Sequence, residues 1–178
     1  GVCLIFIVLV ANIEILKYFI SGSSTEKAVY WSGLGVVPIL LFGYVSLGIY
    51  MNLSIWYKLS DQTRYGLYIS VIGAFITFIL NIIFIPKYSY IASAWISLTA
   101  YLVMMILSYL LGQKKYPIPY NLKKNLGYLI SSVAIVFISF ILFKRNLVIG
   151  NLLVLLFVII SFYIERKELK IIFRSKTP

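Results

Sequence analysis

Residues Gly66–Pro86 read GLYISVIGAFITFILNIIFIP, with no charged side chain among them. A helix crossing the hydrocarbon core of a bilayer needs about 20 apolar residues, because a rise of about 1.5 Å per residue must cover about 30 Å. This stretch is long enough, and it has company. Tyr30–Asn52, Tyr88–Gln113, Asn125–Phe143 and Asn146–Ile164 are also free of charge. Soluble domains are about 45–50% apolar and about 25% charged. This chain of 178 residues is 62% hydrophobic and 12% charged. No water-soluble fold hides that much apolar surface, so the chain reads as all-α, a polytopic transmembrane helical bundle.

Gly1–Ile20 is a further apolar stretch. It lacks an initiator Met, a basic leading segment and a small-residue cleavage site, and Glu14 and Lys17 fall where a secretory signal is neutral. It reads as a transmembrane helix cut at its start, so the chain reads as a piece of a longer protein. Six helices are expected, over about 1–20, 30–52, 66–86, 90–111, 125–143 and 147–164, followed by a basic tail over 165–178.

Basic residues orient such a bundle, because cytoplasmic links carry an excess of Lys and Arg. One side collects Lys17, Lys27, Lys87, Lys144 and Arg145; the other collects the remaining 11 of the 16. The richer side includes the Tyr57–Tyr65 and Gln113–Lys124 links and the tail, which are therefore expected in the cytoplasm. Aromatic rings agree with interfacial belts. Tyr30, Trp31, Tyr88 and Tyr90 mark the outer interface, and Trp56, Tyr57, Tyr65, Tyr68, Tyr109 and Tyr163 the inner one. Trp95 lies deeper, where it either lines a cavity or packs against a neighbour.

The chemistry available is narrow. The chain has one cysteine, Cys3, no histidine and five acidic residues: Glu14, Glu26, Asp61, Glu165 and Glu168. No catalytic His, carboxylate pair, metal cluster or phosphate-cradling glycine loop can be assembled from these. The chain is not expected to be an enzyme or to hold a cofactor or metal. No nucleic-acid partner is expected.

Several residues stand out against the apolar background. Glu14 and Lys17 are the charges embedded in an apolar run, and their i, i+3 spacing puts them on one helical face where they can pair. Intramembrane charge is costly and points to a substrate path, although Lys17 can also snorkel to the headgroups. Asn81 is an intramembrane amide five residues before Pro86. Pro38 and Pro86 are candidate hinges: Pro38 is expected to kink the second helix, and Pro86 to close the third. Small residues recur four apart at Gly66, Ser70 and Ala74, and at Ser89, Ser93 and Ser97, as in ridges that let helices pack closely in lipid.

Gly73–Tyr101, GAFITFILNIIFIPKYSYIASAWISLTAY, resembles the hallmark of the polysaccharide biosynthesis flippases, which export O-antigen and related lipid-linked oligosaccharides. The shared pattern is Gly-Ala, an Asn several residues before Ile-Pro, a basic-aromatic turn and a small-residue helix ending in Tyr. The preceding YWSGLGVVPILLFGYVSLGIYMNLSIWYKLSDQTRYG and the following KKYPIPYNLKK are similar to family segments, so the resemblance runs from about Ile15 to Leu126. One departure concerns the turn. The family commonly has glycines where this chain has Ser89 and Ser93, and serine lacks glycine's freedom to take positive φ.

The resemblance implies a member of the multidrug/oligosaccharidyl-lipid/polysaccharide exporter superfamily. This chain would be the carboxyl-terminal six helices of a two-bundle transporter in the bacterial inner membrane, with its carboxyl end in the cytoplasm. The implied job is to move undecaprenyl-pyrophosphate-linked oligosaccharide units across that membrane by alternating access. The implied partners are the lipid-linked substrate, membrane lipids and the missing amino-terminal helices. Two alternatives stay open: a multidrug or small-solute exporter of the same superfamily, and part of a membrane polysaccharide polymerase.

Overall fold

A computed structural model describes residues 1–19, 27, 30–31, 33–142 and 146–174, with side chains except at 141–142 and 167–174. Among the described residues every regular element is helical. Four helices are long and apolar enough to cross a membrane, or up to five if one sharply bent pair counts as a single span. The expected outer turn at Lys144–Arg145, most of the link before Gly33 and the last four tail residues lie outside the described residues.

The chain divides into two compact units. One comprises Gly1, 3–21 and 123–178, and the other Val2 and 22–122.

The second unit begins with a 3-10 turn, Gly33–Val36, that leads into α3, Val37–Leu53. Pro38 therefore sits in the first turn of α3. The amide hydrogen that proline lacks has no intrahelical acceptor there, so Pro38 opens the α-helix instead of kinking its middle. Ser54 interrupts the path, its hydroxyl donating to the Met51 carbonyl at 2.6 Å, and a short helix α4, Ile55–Leu59, follows. The chain turns at Asp61, whose φ of 53° is left-handed. A short polar side chain tolerates that conformation better than most.

Helix α5, Arg64–Lys115, has 52 residues, but it is not one straight rod. Gly73 packs against the Met104 side chain. A straight helix would hold these residues about 46 Å apart. Tyr65 and Gly112 likewise both meet the Trp56 ring. The helix therefore folds back on itself, and its one non-helical residue is Ser89, at φ 53° and ψ −141°. The arms are residues 64–88 and 90–115. Pro86 does not close the first arm as expected, because the helix runs on through Tyr88 before the elbow. Proline's missing N–H and its clash with the carbonyl four residues back weaken the last turn, while the reversal itself needs a residue at positive φ.

Packing in this unit centres on Tyr50, Ile69 and Met104, flanked by Leu47, Tyr101 and Leu111. Arm one meets its neighbours along Ile69 and Gly73, whereas Ser70 and Ala74 of the expected ridge are exposed. Trp56 is not an interfacial anchor. It is 1% exposed, and its indole N–H donates to the Ser108 carbonyl at 3.1 Å. Tyr57 is also buried, beside Gly66. An indole whose N–H finds a buried carbonyl gains nothing from a headgroup, so packing overrides the belt position.

The first unit opens with α1, Val2–Ala11, and a short helix α2, Ile13–Leu16, continued by a 3-10 turn at Lys17–Phe19. The two segments are bent by 63° at Asn12, so the expected uninterrupted helix over 1–20 is broken. Asn12 donates its side-chain amide to the Val8 carbonyl at 3.0 Å, which competes with continued helical bonding. The other helices of this unit are α6, Leu122–Phe137, extended by a π-turn at Ile138–Leu142, and α7, Leu147–Arg174. They run antiparallel: Lys124 lies beside Glu165, Tyr128 meets Phe157 edge to face, and Ser139 faces Gly150. Helix α7 continues ten residues past the expected end at Ile164, so the start of the basic tail is helical.

Candidate functional site

The elbow at Ser89 is flanked by a cavity. Beside it the arms diverge around a cleft of about 420 Å3. Leu80, Phe84 and Tyr88 form one wall, at the i, i+4, i+8 spacing that places them on one helical face. Ile91, Ala92, Trp95, Ile96 and Thr99 form the other. The Thr99 hydroxyl is turned back onto the Trp95 carbonyl at 2.8 Å, so the walls offer the cleft almost only apolar surface. Trp95 lies on the wall of this cleft, with 54% of its surface exposed.

Asn81 follows Leu80 on the same arm. Its side-chain oxygen is buried and has no hydrogen-bond partner among the described residues. A buried amide acceptor left unpaired costs about 1–3 kcal/mol, so this is an expensive position for a merely structural residue. Ser108 carries a second unpartnered oxygen deep in the same unit, where its own backbone carbonyl takes the Trp56 bond. Pro86 lies between Asn81 and the elbow.

Glu14 and Lys17 belong to the other unit and form the ion pair their spacing suggests, with the ammonium also 5.4 Å from the centre of the Tyr18 ring. Both side chains are mostly covered. They follow directly on the break at Asn12, which sequence reading missed. There the Asn12 and Asn151 side-chain amides pair reciprocally, at 3.0 and 3.3 Å. Asn151 also donates to the Leu147 carbonyl at 3.0 Å. Two asparagines in separate apolar runs were the available signal, but nothing in their spacing links residues so far apart. The expected site residues thus fall into two groups: Asn81, Trp95 and Pro86 around the elbow, and Glu14 with Lys17 beside a broken helix. Pro38 joins neither. Among the described residues no three His, Cys, Asp or Glu side chains come together.

No family model, no curated protein and no solved structure matches this chain.

Proposed function

We propose that the chain is part of a membrane flippase that carries undecaprenyl-pyrophosphate-linked oligosaccharide from the inner to the outer leaflet of the bacterial inner membrane. The observation that carries this proposal is the segment Gly73–Tyr101. Its sequence resembles the flippase hallmark, and the same residues make the folded-back helix, its elbow and the cleft. Four helices, or up to five with the bent α1–α2 pair, are long and apolar enough to cross a membrane; the reading of six spans, as half of a two-bundle transporter needs, takes the two arms of α5 as separate spans.

A sugar with its pyrophosphate cannot cross hydrocarbon unaided, because burying polar and charged groups there is costly. A polar path between bundles lowers that barrier while the lipid chain stays in the bilayer. Asn81 supplies an acceptor for a sugar hydroxyl. The near absence of acidic residues favours an anionic cargo over the cationic drugs of related exporters.

The test is a deletion of the full gene, complemented with wild-type and Asn81→Leu forms. The expected result is lipid-linked repeat units stranded on the inner leaflet, loss of surface polysaccharide, and rescue by wild type alone. Normal surface polysaccharide in a deletion strain without a paralogue contradicts the proposal and favours a small-solute exporter. Orientation has its own check. In a Cys3→Ser background, Lys115→Cys should resist an impermeant thiol reagent in intact cells, and ready labelling would invert the bundle.

A further inference from the structure

The cleft beside the elbow has room for a guest but almost nothing to offer a polar one. Its volume of about 420 Å3 is nearly three times the roughly 150 Å3 that holds a benzene ring in an engineered apolar cavity. Leu80, Phe84 and Tyr88 line one arm, and Trp95 and Ile96 the other. Two wall residues carry hydroxyls. That of Thr99 is spent on the Trp95 carbonyl, and Tyr88 lies at the elbow end with its ring largely exposed. Water stays in a cavity only with about two to four polar partners. A sugar stripped of its water would likewise find no replacement bonds here. The guest that fits these walls is a hydrocarbon chain.

Charge selects which chain. Lys87 stands at the elbow end of the first arm, and its side chain is exposed. At 3.6 residues per turn it shares one arc of about 100° with the wall residues Leu80, Phe84 and Tyr88. The arm is uncharged from Tyr65 to Pro86, so Arg64 and Lys87 lie about 34 Å apart along the helix. That is slightly more than the roughly 30 Å of a hydrocarbon core, which puts Lys87 among headgroups. Exposed rings at Tyr88 and Tyr90 mark the same level. No acidic residue occurs in α5. The ion pairs Glu14–Lys17 and Lys124–Glu165 both belong to the other unit. A cation without a carboxylate, at the mouth of an apolar cleft, complements a lipid with an anionic phosphate and an apolar tail. We propose that the elbow holds one anionic phospholipid, with an acyl chain between Phe84, Tyr88 and Trp95 and its phosphate diester on Lys87. The binding is independent of what the chain transports.

The test reads the fluorescence of Trp95. The full chain carrying Trp31→Phe is reconstituted in phosphatidylcholine vesicles with a small fraction of phosphatidylglycerol or phosphatidylcholine whose acyl chains are brominated, since bromine quenches an indole that it touches. Trp56, 1% exposed, is out of reach. Brominated phosphatidylglycerol should quench at about fivefold lower mole fraction than brominated phosphatidylcholine, the weight of one cation at a membrane surface. Trp95→Phe should remove that difference. Lys87→Gln should bring the two lipids to parity, whereas Lys115→Gln, at an exposed lysine on the far end of the second arm, should leave the preference intact. Equal quenching by the two lipids before Lys87 is changed overturns the site, and so does a preference that survives Lys87→Gln. No quenching by either lipid would mean that protein covers the cleft, which also overturns it. Displacement of the brominated phosphatidylglycerol by polyprenyl phosphate, but not by an equal amount of unbrominated phosphatidylglycerol, would give the cleft to an isoprenoid chain instead. Added salt should erase the preference with no lysine replaced, and a salt-insensitive preference would contradict the role of Lys87 even if its variant failed to fold.

Discussion

In the unit built from residues 22–122, rings rest on glycines; in the unit built from 3–21 and 123–178, amides and charges pair. Trp56 lies on Gly112, Tyr57 on Gly66 and the Met104 side chain on Gly73. Against these stand Asn12 with Asn151, Glu14 with Lys17 and Lys124 with Glu165. In lipid there is no hydrophobic drive to bring helices together, so either close approach over small residues or a hydrogen bond must supply it. This chain uses each device in a different place. The difference implies that the 22–122 unit fails through overpacking, and the other through loss of a directional bond.

The largest effect expected is from Trp56→Ala. It removes a fully buried ring and the bond to the Ser108 carbonyl, and should cost about 3–5 kcal/mol in reversible unfolding from mixed micelles. Gly112→Ala comes next. Its Cβ would lie 2.8 Å from Trp56 Cδ1, and that ring is tethered by its own hydrogen bond. Overpacking of this kind costs about 1–3 kcal/mol. Gly73→Ala meets the flexible end of Met104 instead and should cost clearly less. If the two alanine variants are equally destabilised, rigid ring-on-glycine packing is not what holds this unit.

Ser89→Gly should move stability the other way, by about 1 kcal/mol, because it relieves a serine held at φ 53°, ψ −141°, a region suited to glycine. A neutral or destabilising result would mean that the serine side chain has a use that outweighs its strain. The polar unit should show the smallest changes. Asn151→Leu is expected to cost about 0.6 kcal/mol and at most about 1.7. In a double-mutant cycle with Asn12→Leu the losses should be less than additive, since either change alone breaks the same pair. Additive losses would mean that each asparagine acts separately.

Much of the helical layout was legible in the sequence, for a physical reason: uncharged runs of helix-spanning length leave few other structures open in lipid. Residues 66–86 and 90–111 fall in the two arms, and the fold-back lies three residues past the proline expected to mark it. What the sequence hid were choices made by contacts. A tryptophan among interfacial tyrosines looks like an anchor until Ser108 offers its carbonyl. Pro38 looks like a kink until the helix is seen to begin there. The partner of Asn12 lies 139 positions away, where no spacing could point to it. The serine at the turn shows most plainly where the limit lies. Its side chain argued against positive φ, yet the reversal between the arms imposes that conformation. Around the candidate site, Trp95 and Asn81 stood out from the sequence, but the cleft depends on where the elbow falls, and no spacing rule gives that.

The fold-back at Ser89 underlies the cleft and the packing on Trp56, and one distance tests it. Leu67 and Leu110 are exposed on opposite arms. Spin labels at Leu67→Cys and Leu110→Cys in a Cys3→Ser background, with the chain in lipid nanodiscs, should report helices packed about 8–10 Å apart at their axes, widened only by the label arms. A distance near the roughly 65 Å of a straight helix between those positions would contradict the fold-back and the site built on it.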